Sequence, residues 1–398
     1  LAGMANASDT ARRVRHVPYA SMSGAAAAHG AGAAQVVWSR TLNPYFNLAW
    51  EDYLLRLRPT TPVCFLYRNA PCVVVGRNQN IWSELDARAM QRARVPVVRR
   101  RSGGGTVYHD EGNINFCFYV ARSAFARNTH TELVARALRQ APVSLPTRFG
   151  EPPVQVNDRN DLYVYARDAQ APNPDARRKV SGSAYKISSQ HAYHHGTLLL
   201  DADLGRMRLL RRTSGAKITS RAVDSVSSPV ANLRATFPER AAQLTPQAVF
   251  EAIRGAFAAH YGEAHTTLVD ERDLGAAQRV NNVEQTVRSA YDDLQSWDWV
   301  YGSSPDMETL VRTDDTPWDG VRLAMTLRTE RGIVTSVEVH TLESDDASLH
   351  DAVRGLQGER YDVLAPAPPS AVAPHPRDAD AAQSASARAL RAWLLRAL

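Results

Sequence analysis

Short strand-like apolar runs interleaved with helical stretches predict an α+β chain, and three features carry that reading. Val63–Tyr67 and Val73–Gly76 are brief β-branched and aromatic runs of buried-strand length. Asn47–Arg58 instead places Leu48, Trp50, Leu54, Leu55 and Leu57 at helical spacing and ends before Pro59. The glycine-rich stretch Ser102–Gly105 falls between the predicted strands Val97–Arg99 and Thr106–Tyr108. A glycine loop between strands, matching neither G-x-G-x-x-G nor G-x-x-x-x-G-K-[ST], argues against a Rossmann or P-loop nucleotide fold.

The remaining elements follow in order. Val36–Ser39 reads as a strand, Glu84–Arg94 and Thr131–Arg139 as helices, and Asn115–Val120 and Asp161–Tyr165 as strands. Lys179–Ile187 and Tyr193–Leu200 read as paired strands across a polar turn. The helix Pro246–Tyr261 closes this block. A second block, from about Asp270, has Trp297–Tyr301, Val321–Thr329 and Ile333–Thr341 as strands and Ala347–Leu356 as a helix. The expected division is a leader over 1–35, a main domain over 36–268, a small α+β domain over 269–364, and a proline-rich linker with a terminal helix over 365–398. With 398 residues, 44% of them hydrophobic, the chain can bury a full core and a smaller one. No apolar run approaches the roughly 20 residues that cross a bilayer, so a soluble protein is expected.

The charge balance of +6 suits nucleic acid, an acidic protein or an anionic small molecule. Scattered arginines, with aromatics inside apolar strands, do not make the concentrated basic and aromatic surface that nucleic acid needs. Only Lys179, Lys186 and Lys217 are lysines, which leaves 44 arginines among 47 basic residues. In so arginine-rich a chain, a surviving lysine marks a place for a compact ammonium charge. Cys64, Cys72 and Cys117 have no zinc or CxxC spacing and lie in apolar runs, as reduced structural thiols do. Residues 1–35, arginine- and alanine-rich with Asp9 the sole acid, have the composition of a mitochondrial transit segment.

Five motifs carry chemistry. In RRRSGGGTVYHD, residues 99–110, Ser102, Gly103, Gly104 and Gly105 can turn backbone N–H groups toward a phosphate, and strand alternation of Arg99, Arg100 and Arg101 aims Arg100 at that guest while the others meet solvent. GRNQN, residues 76–80, offers Arg77 and amides at a strand end. RND, residues 159–161, places Asn160 and Asp161 at a strand start, where Asp161 could hold Mg2+ or a hydrogen bond from adenine or ribose. KVSGSAYK, residues 179–186, puts Lys179 beside small residues that leave room for a ligand; an ammonium there can draw a carboxylate and an α-phosphate together. Lys186, on the opposite face of a regular strand, is a rim charge. HHGT, residues 194–197, adds His195 and Thr197, with Gly196 permitting a close backbone approach. His109 and His195 lack clustered ligand spacing and read as supporting histidines.

Together with TLNPYFNLAWED, LYRNAPCVVVGRNQN, HHGTLLL and SWDWVYGSSP, these motifs closely resemble the lipoate-protein ligases and their lipoyltransferase relatives, over most of the chain from Val36 onward. The resemblance implies a mixed-sheet catalytic domain of the biotin/lipoyl-ligase type with a small accessory domain. It implies ATP, Mg2+ and lipoate as reactants, lipoyl-adenylate as intermediate, and a lysine on lipoyl domains of 2-oxoacid dehydrogenase E2 subunits or the glycine-cleavage H protein as acceptor. By the same resemblance, Arg100, Gly105, Thr106, Val107, Tyr108 and Lys179 contact the nucleotide and lipoyl-adenylate, and Arg77, Ser102, His109, Asn160, Asp161, Ser183, His195 and Thr197 line the pocket. No cysteine here matches the nucleophile of the sister octanoyltransferases. SVSSPVANL, residues 225–233, lacks the arginine many family members carry there, which leaves transfer from a preformed adenylate as the alternative.

Overall fold

The structure is a computed structural model and describes residues 33–212, 216–280, 283–344, 346–371 and 384–398. The transit-like composition at 1–32 and part of the proline-rich linker lie outside the described residues. Two compact units interleave along the chain: of the described residues, those within 33–70, 109–204 and 227–292 belong to the first, and those within 71–108, 205–226 and 293–398 to the second. Compactness thus partitions the chain differently from the consecutive stretches read in the sequence.

The first unit is built on a six-stranded mixed sheet in the spatial order Ser183–Ile187, His191–Leu199, Asn113–Ala121, Val63–Tyr67, Ala34–Ser39, Ala264–Val269. Ala34–Ser39 runs parallel to both its neighbours, and the other three pairings are antiparallel. Val63–Tyr67 is buried at every position, as its unbroken apolar run requires. Against this sheet pack the helices Pro246–Tyr261 and Thr129–Ala137, which bury Phe250, Ile253, Phe257, Leu133 and Val134 with Phe116 and Phe118. The helix Pro44–Leu57 starts where the Asn43 side chain accepts from Tyr45 and Phe46 N–H, with Pro44 in its first turn. It is buried almost throughout, including Glu51 and Asp52.

The second unit carries a three-stranded sheet ordered Val97–Arg99, Cys72–Val75, Val107–His109, and a four-stranded antiparallel sheet ordered Lys217–Ser220, Met307–Arg312, Arg322–Glu330, Ile333–Glu343. Its core joins Met325, Leu327 and Val334 to Tyr361 and to Leu390, Trp393 and Leu394 of the terminal helix Ala385–Ala397, which therefore packs. Among the described residues no helix is long and apolar enough to cross a membrane, and all three cysteines are buried, none of them in a disulfide.

Three sequence expectations change. Glu84–Arg94 is two short helices, Ile81–Glu84 and Ala87–Ala93, because Asp86 caps a new start by accepting from Ala89 N–H. Trp297–Val300 is a helical turn and not a strand, capped by Ser296, whose side chain accepts from Trp299 N–H; its aromatics mimic strand composition. The single strand Lys179–Ile187 is two, Arg177–Lys179 and Ser183–Ile187. At the break, Val180 and Ser181 N–H donate to Leu162 O and Lys179 N–H to Pro229 O, so strand alternation does not relate Lys179 to Lys186.

Buried histidines give the first unit a pH dependence. His130 stacks on Phe118 at 4.6 Å and meets Tyr261 Oη at 2.7 Å. Burial, with His260 nearby, pushes its pKa down to about 3, and burial holds His194 well below its ordinary value. The unfolded chain takes up protons below about pH 6.5 that the folded chain refuses, so stability is whole above that pH and falls as pH approaches 3. The urea midpoint should drop from pH 7 to pH 4.5, with His130 alone adding a slope near 1.4 kcal/mol per pH unit at the acid end. His130→Gln should flatten that slope; an unchanged slope would contradict the account.

Candidate functional site

Lys179 ends the strand Arg177–Lys179, which pairs with Leu162–Tyr165. Its Nζ lies 2.8 Å from Asp161 Oδ2. Asp161 is fixed from both sides: Ser183 N–H donates to its Oδ1 at 3.2 Å, and Asn157 Oδ1 accepts from its backbone N–H at 3.0 Å. Asn160, at φ 60°, holds the left-handed turn that Asn tolerates, and its carbonyl accepts from Ser183 Oγ at 2.7 Å. His194 Nε2 meets the same Oγ at 2.9 Å. Thr197 closes the group, its Oγ1 accepting from Gly182 N–H at 3.1 Å. A Cβ on Gly182 would sit 3.4 Å from the Lys179 ammonium, so the glycine keeps that flank open. Lys179, Asn160, Asp161 and Ser183 therefore form one hydrogen-bonded group, to which Thr197 is tied through Gly182, assembled from three sheet strands and a turn.

The strand break also separates the two lysines' roles. Lys179 remains about a quarter exposed, whereas Lys186 Nζ lies 3.4 Å from buried Asp52, which Arg56 also pairs at 2.6 Å. A divalent ion on Asp161 Oδ2 would lie against an ammonium 2.8 Å from that oxygen. Like-charge repulsion makes Asp161 the partner of Lys179 and a poor magnesium ligand.

His195 and His109 sit on separate buried networks of the first unit. His195 Nδ1 lies 3.0 Å from Glu51 Oε2, while Tyr67 Oη donates to Glu51 Oε1 at 2.8 Å. Cys117, opposite His195 in the sheet register, brings its sulfur to within 4.8 Å of the same polar atoms. This cluster has three ligand types a cation could use, but Tyr67 and His195 already satisfy the Glu51 carboxylate. Asn47 Nδ2 donates to Asn69 Oδ1 at 2.8 Å, which leaves the Asn69 amide nitrogen to donate to His109 Nδ1 at 2.9 Å. Neutral His109 then carries its proton on Nε2. Gly196 is required for a reason other than ligand approach: a Cβ there would fall 2.3 Å from the Phe116 ring.

The glycine loop belongs to the second unit. Gly104 takes φ 88°, and a Cβ on Gly76 would lie 2.0 Å from Gly104 O, so both positions demand glycine. The three arginines do not divide between guest and solvent as strand alternation predicts. Arg100 is buried, donating through Nη2 to Gly103 O and Gly105 O at 2.6 and 2.8 Å, through Nη1 to Val74 O, and through Nε to Ser102 Oγ. Arg99 is fully buried and bonds Gly76, Arg77, Gln79 and Val300 carbonyls and Ser304 Oγ. Burial and the nearby Arg77 push the Arg99 pKa down to about 9. Arg101 stacks on Trp299 at 3.7 Å and pairs with Asp293 at 2.6 Å. Arg100 thus folds the glycine loop by filling its carbonyls, and Arg99 fills those of the segment 76–79 that precedes it. Arg77 is the exposed cation of this group, its guanidinium 5.2 Å from the Trp299 ring.

Thr106 N–H donates to Ser225 Oγ at 2.9 Å, and Thr106 Oγ1 donates to Gln79 Oε1 at 2.9 Å. Ser225 in turn bonds Gln79 and Glu84. Val107 and Tyr108 lead out of the loop as a strand, Tyr108 buried. Sequence reading passed over Glu51 and Glu84 and sent Arg99 to solvent; the partners that hold them, Tyr67 and His195, Ser225, and Val300, lie far off in the sequence, so no local pattern marks them.

The model of the lipoyl protein ligase A/B catalytic domain matches residues 43–258, more than half of the chain, and the protein belongs to that family. Solved structures agree on the fold. LipL1 of Plasmodium falciparum, in complex with lipoate, is 23% identical over 82% of this chain and 90% of its own, with a TM-score of 0.54. A bipartite lipoate protein ligase from Thermoplasma acidophilum, solved with its E2 lipoyl domain, is 16% identical over 68% and 96%, with a TM-score of 0.51.

Proposed function

We propose that this family member is an ATP-dependent lipoate-protein ligase, which activates lipoate as lipoyl-adenylate and passes the lipoyl group to a lysine of an acceptor lipoyl domain. The observation that carries the reading is the Lys179 ammonium, fixed by Asp161 and flanked by Gly182. Activation brings a carboxylate to the α-phosphate of ATP, and the two anions repel until a cation lies between them. Lys179 supplies that cation, and it stabilises charge on the displaced phosphate when the acceptor lysine attacks the acyl carbon. Asp161 orients the ammonium. The glycine loop, shaped by Arg100, offers N–H groups of Ser102, Gly103, Gly104 and Gly105 to phosphate oxygens, with Thr106, Val107 and Tyr108 lining the nucleotide beside it and Arg77 adding exposed positive charge. Magnesium enters bound to the nucleotide phosphates.

Acceptors are the lipoyl domains of 2-oxoacid dehydrogenase E2 subunits and the glycine-cleavage H protein. The E2 lipoyl domain solved with the archaeal ligase supports the first of these. A second reading, transfer from a preformed adenylate or an acylated donor protein, is favoured by Ser225, which occupies the Thr106 N–H in a segment lacking the family's usual arginine. The arginine-rich, acid-poor leader supports a mitochondrial location.

Given lipoate and Mg-ATP, the full chain should release pyrophosphate and add one lipoyl mass to an apo lipoyl domain. No pyrophosphate, with transfer from supplied lipoyl-adenylate, would select the second reading; neither product would overturn both. Residues 1–35 fused to a fluorescent protein should direct it to mitochondria, and a diffuse cytosolic signal would refute the location.

A further inference from the structure

In the first unit, a cavity of about 1100 Å³ opens at one edge of the six-stranded sheet, lined by none of the residues assigned above to lipoate or nucleotide. Its position follows from topology. Ala34–Ser39 runs parallel to Val63–Tyr67 on one side and to Ala264–Val269 on the other. Arg40 and Arg68 are the first residues beyond the carboxyl ends of two of these strands, and both line the cavity. The crevice outside the carboxyl ends of parallel strands is where open α/β sheets bind ligands.

The lining has two chemistries. Its floor is apolar: Trp38 meets Phe250 edge to face at 4.7 Å, and Leu268 lies beside them. Its rim is cationic, with Arg40, Arg68 and Arg254 against a single lining acid, Glu251. Arg254 spends its charge on Glu251 at 2.7 Å, and Arg40 pairs with Asp270, which Arg272 also holds. Arg68 differs: its Nη1 donates at 3.0 Å to the Glu111 carbonyl, a neutral acceptor. The first turn of the 16-residue helix Pro246–Tyr261 also faces the cavity and adds its positive end.

We propose that this cavity is a second ligand site, for a small amphipathic anion whose carboxylate or phosphate meets Arg68 and Arg40 while its apolar body covers Trp38 and Leu268, beneath which Phe250 is buried. The volume is that of a small-molecule pocket. A bare inorganic anion leaves the apolar floor wet, and an uncharged apolar ligand leaves the arginines unanswered, so both chemistries are needed at once. The site is independent of the lipoate-ligase reading.

Isothermal titration of the full chain with decyl phosphate tests it, with decanol and inorganic phosphate as controls and the Lys179→Ala protein alongside. Decyl phosphate should bind once, equally in wild type and Lys179→Ala, and more tightly than either control. Arg68→Ser should weaken it by about tenfold or more, in keeping with one charge-assisted contact. Arg254→Ser, on an exposed helix face, should weaken it less and serves as the folded comparison. Unchanged affinity in both arginine variants would overturn the proposal. So would loss of binding in Lys179→Ala, which would place the alkyl phosphate at the lysine site, and so would inorganic phosphate or decanol binding as well as decyl phosphate.

Discussion

The contact between Lys179 and Asp161 is the constraint around which the first unit's site is organised. An ammonium held only by a flexible four-carbon stem would sample many positions. Here the chain leaves its strand at Lys179 and resumes at Ser183, and the interruption lets the Lys179 ammonium and the Ser183 N–H meet one carboxylate, whose own backbone N–H donates to Asn157. The cost is a broken ladder, offset by Val180 and Ser181 N–H bonds to Leu162 and by the Ala231 N–H bond to Lys179 O. Backbone groups the strand would have satisfied are thereby satisfied locally.

Arginine does a different job in the second unit. Arg99 and Arg100 are buried, and they donate to carbonyls of the glycine loop and of the segment before it. Five donors in a fixed planar fork suit that task, and a lysine could not bond as many carbonyls at once. Glycines at 76 and 104 allow the loop to close this tightly, and the arginines hold it closed. The loop's shape therefore depends on buried cations as much as on its glycines.

Most strands and long helices were legible because their apolar residues repeat at the period of the element: Pro246–Tyr261 and Val63–Tyr67 coincide with the sequence reading. The failures share a cause. Trp297–Val300 and the Lys179–Ile187 break are set by single capping or turning hydrogen bonds, which short windows of hydropathy do not register. Lys179 was legible because lysine is scarce in this chain, and Gly182 because small residues surround it. The inward turn of Arg100 and the burial of Arg99 were not, since strand alternation gives a side chain's face but not whether that face is filled by the protein's own carbonyls. Glu51 and Glu84 were hidden for a related reason: their partners, Tyr67, His195 and Ser225, come from distant parts of the sequence.

The central claim is that the Lys179 ammonium, and not the fold around it, drives acyl activation. Its most direct test is a rapid-quench measurement of acyl-adenylate formed in one turnover by Lys179→Ala and Lys179→Arg proteins, with their unfolding midpoints measured in parallel. The account predicts a loss of about 100-fold or more in Lys179→Ala at near-normal stability, with Lys179→Arg recovering little because its planar fork does not place a point charge at the same spot. Adenylate formation at the normal rate in Lys179→Ala would contradict it.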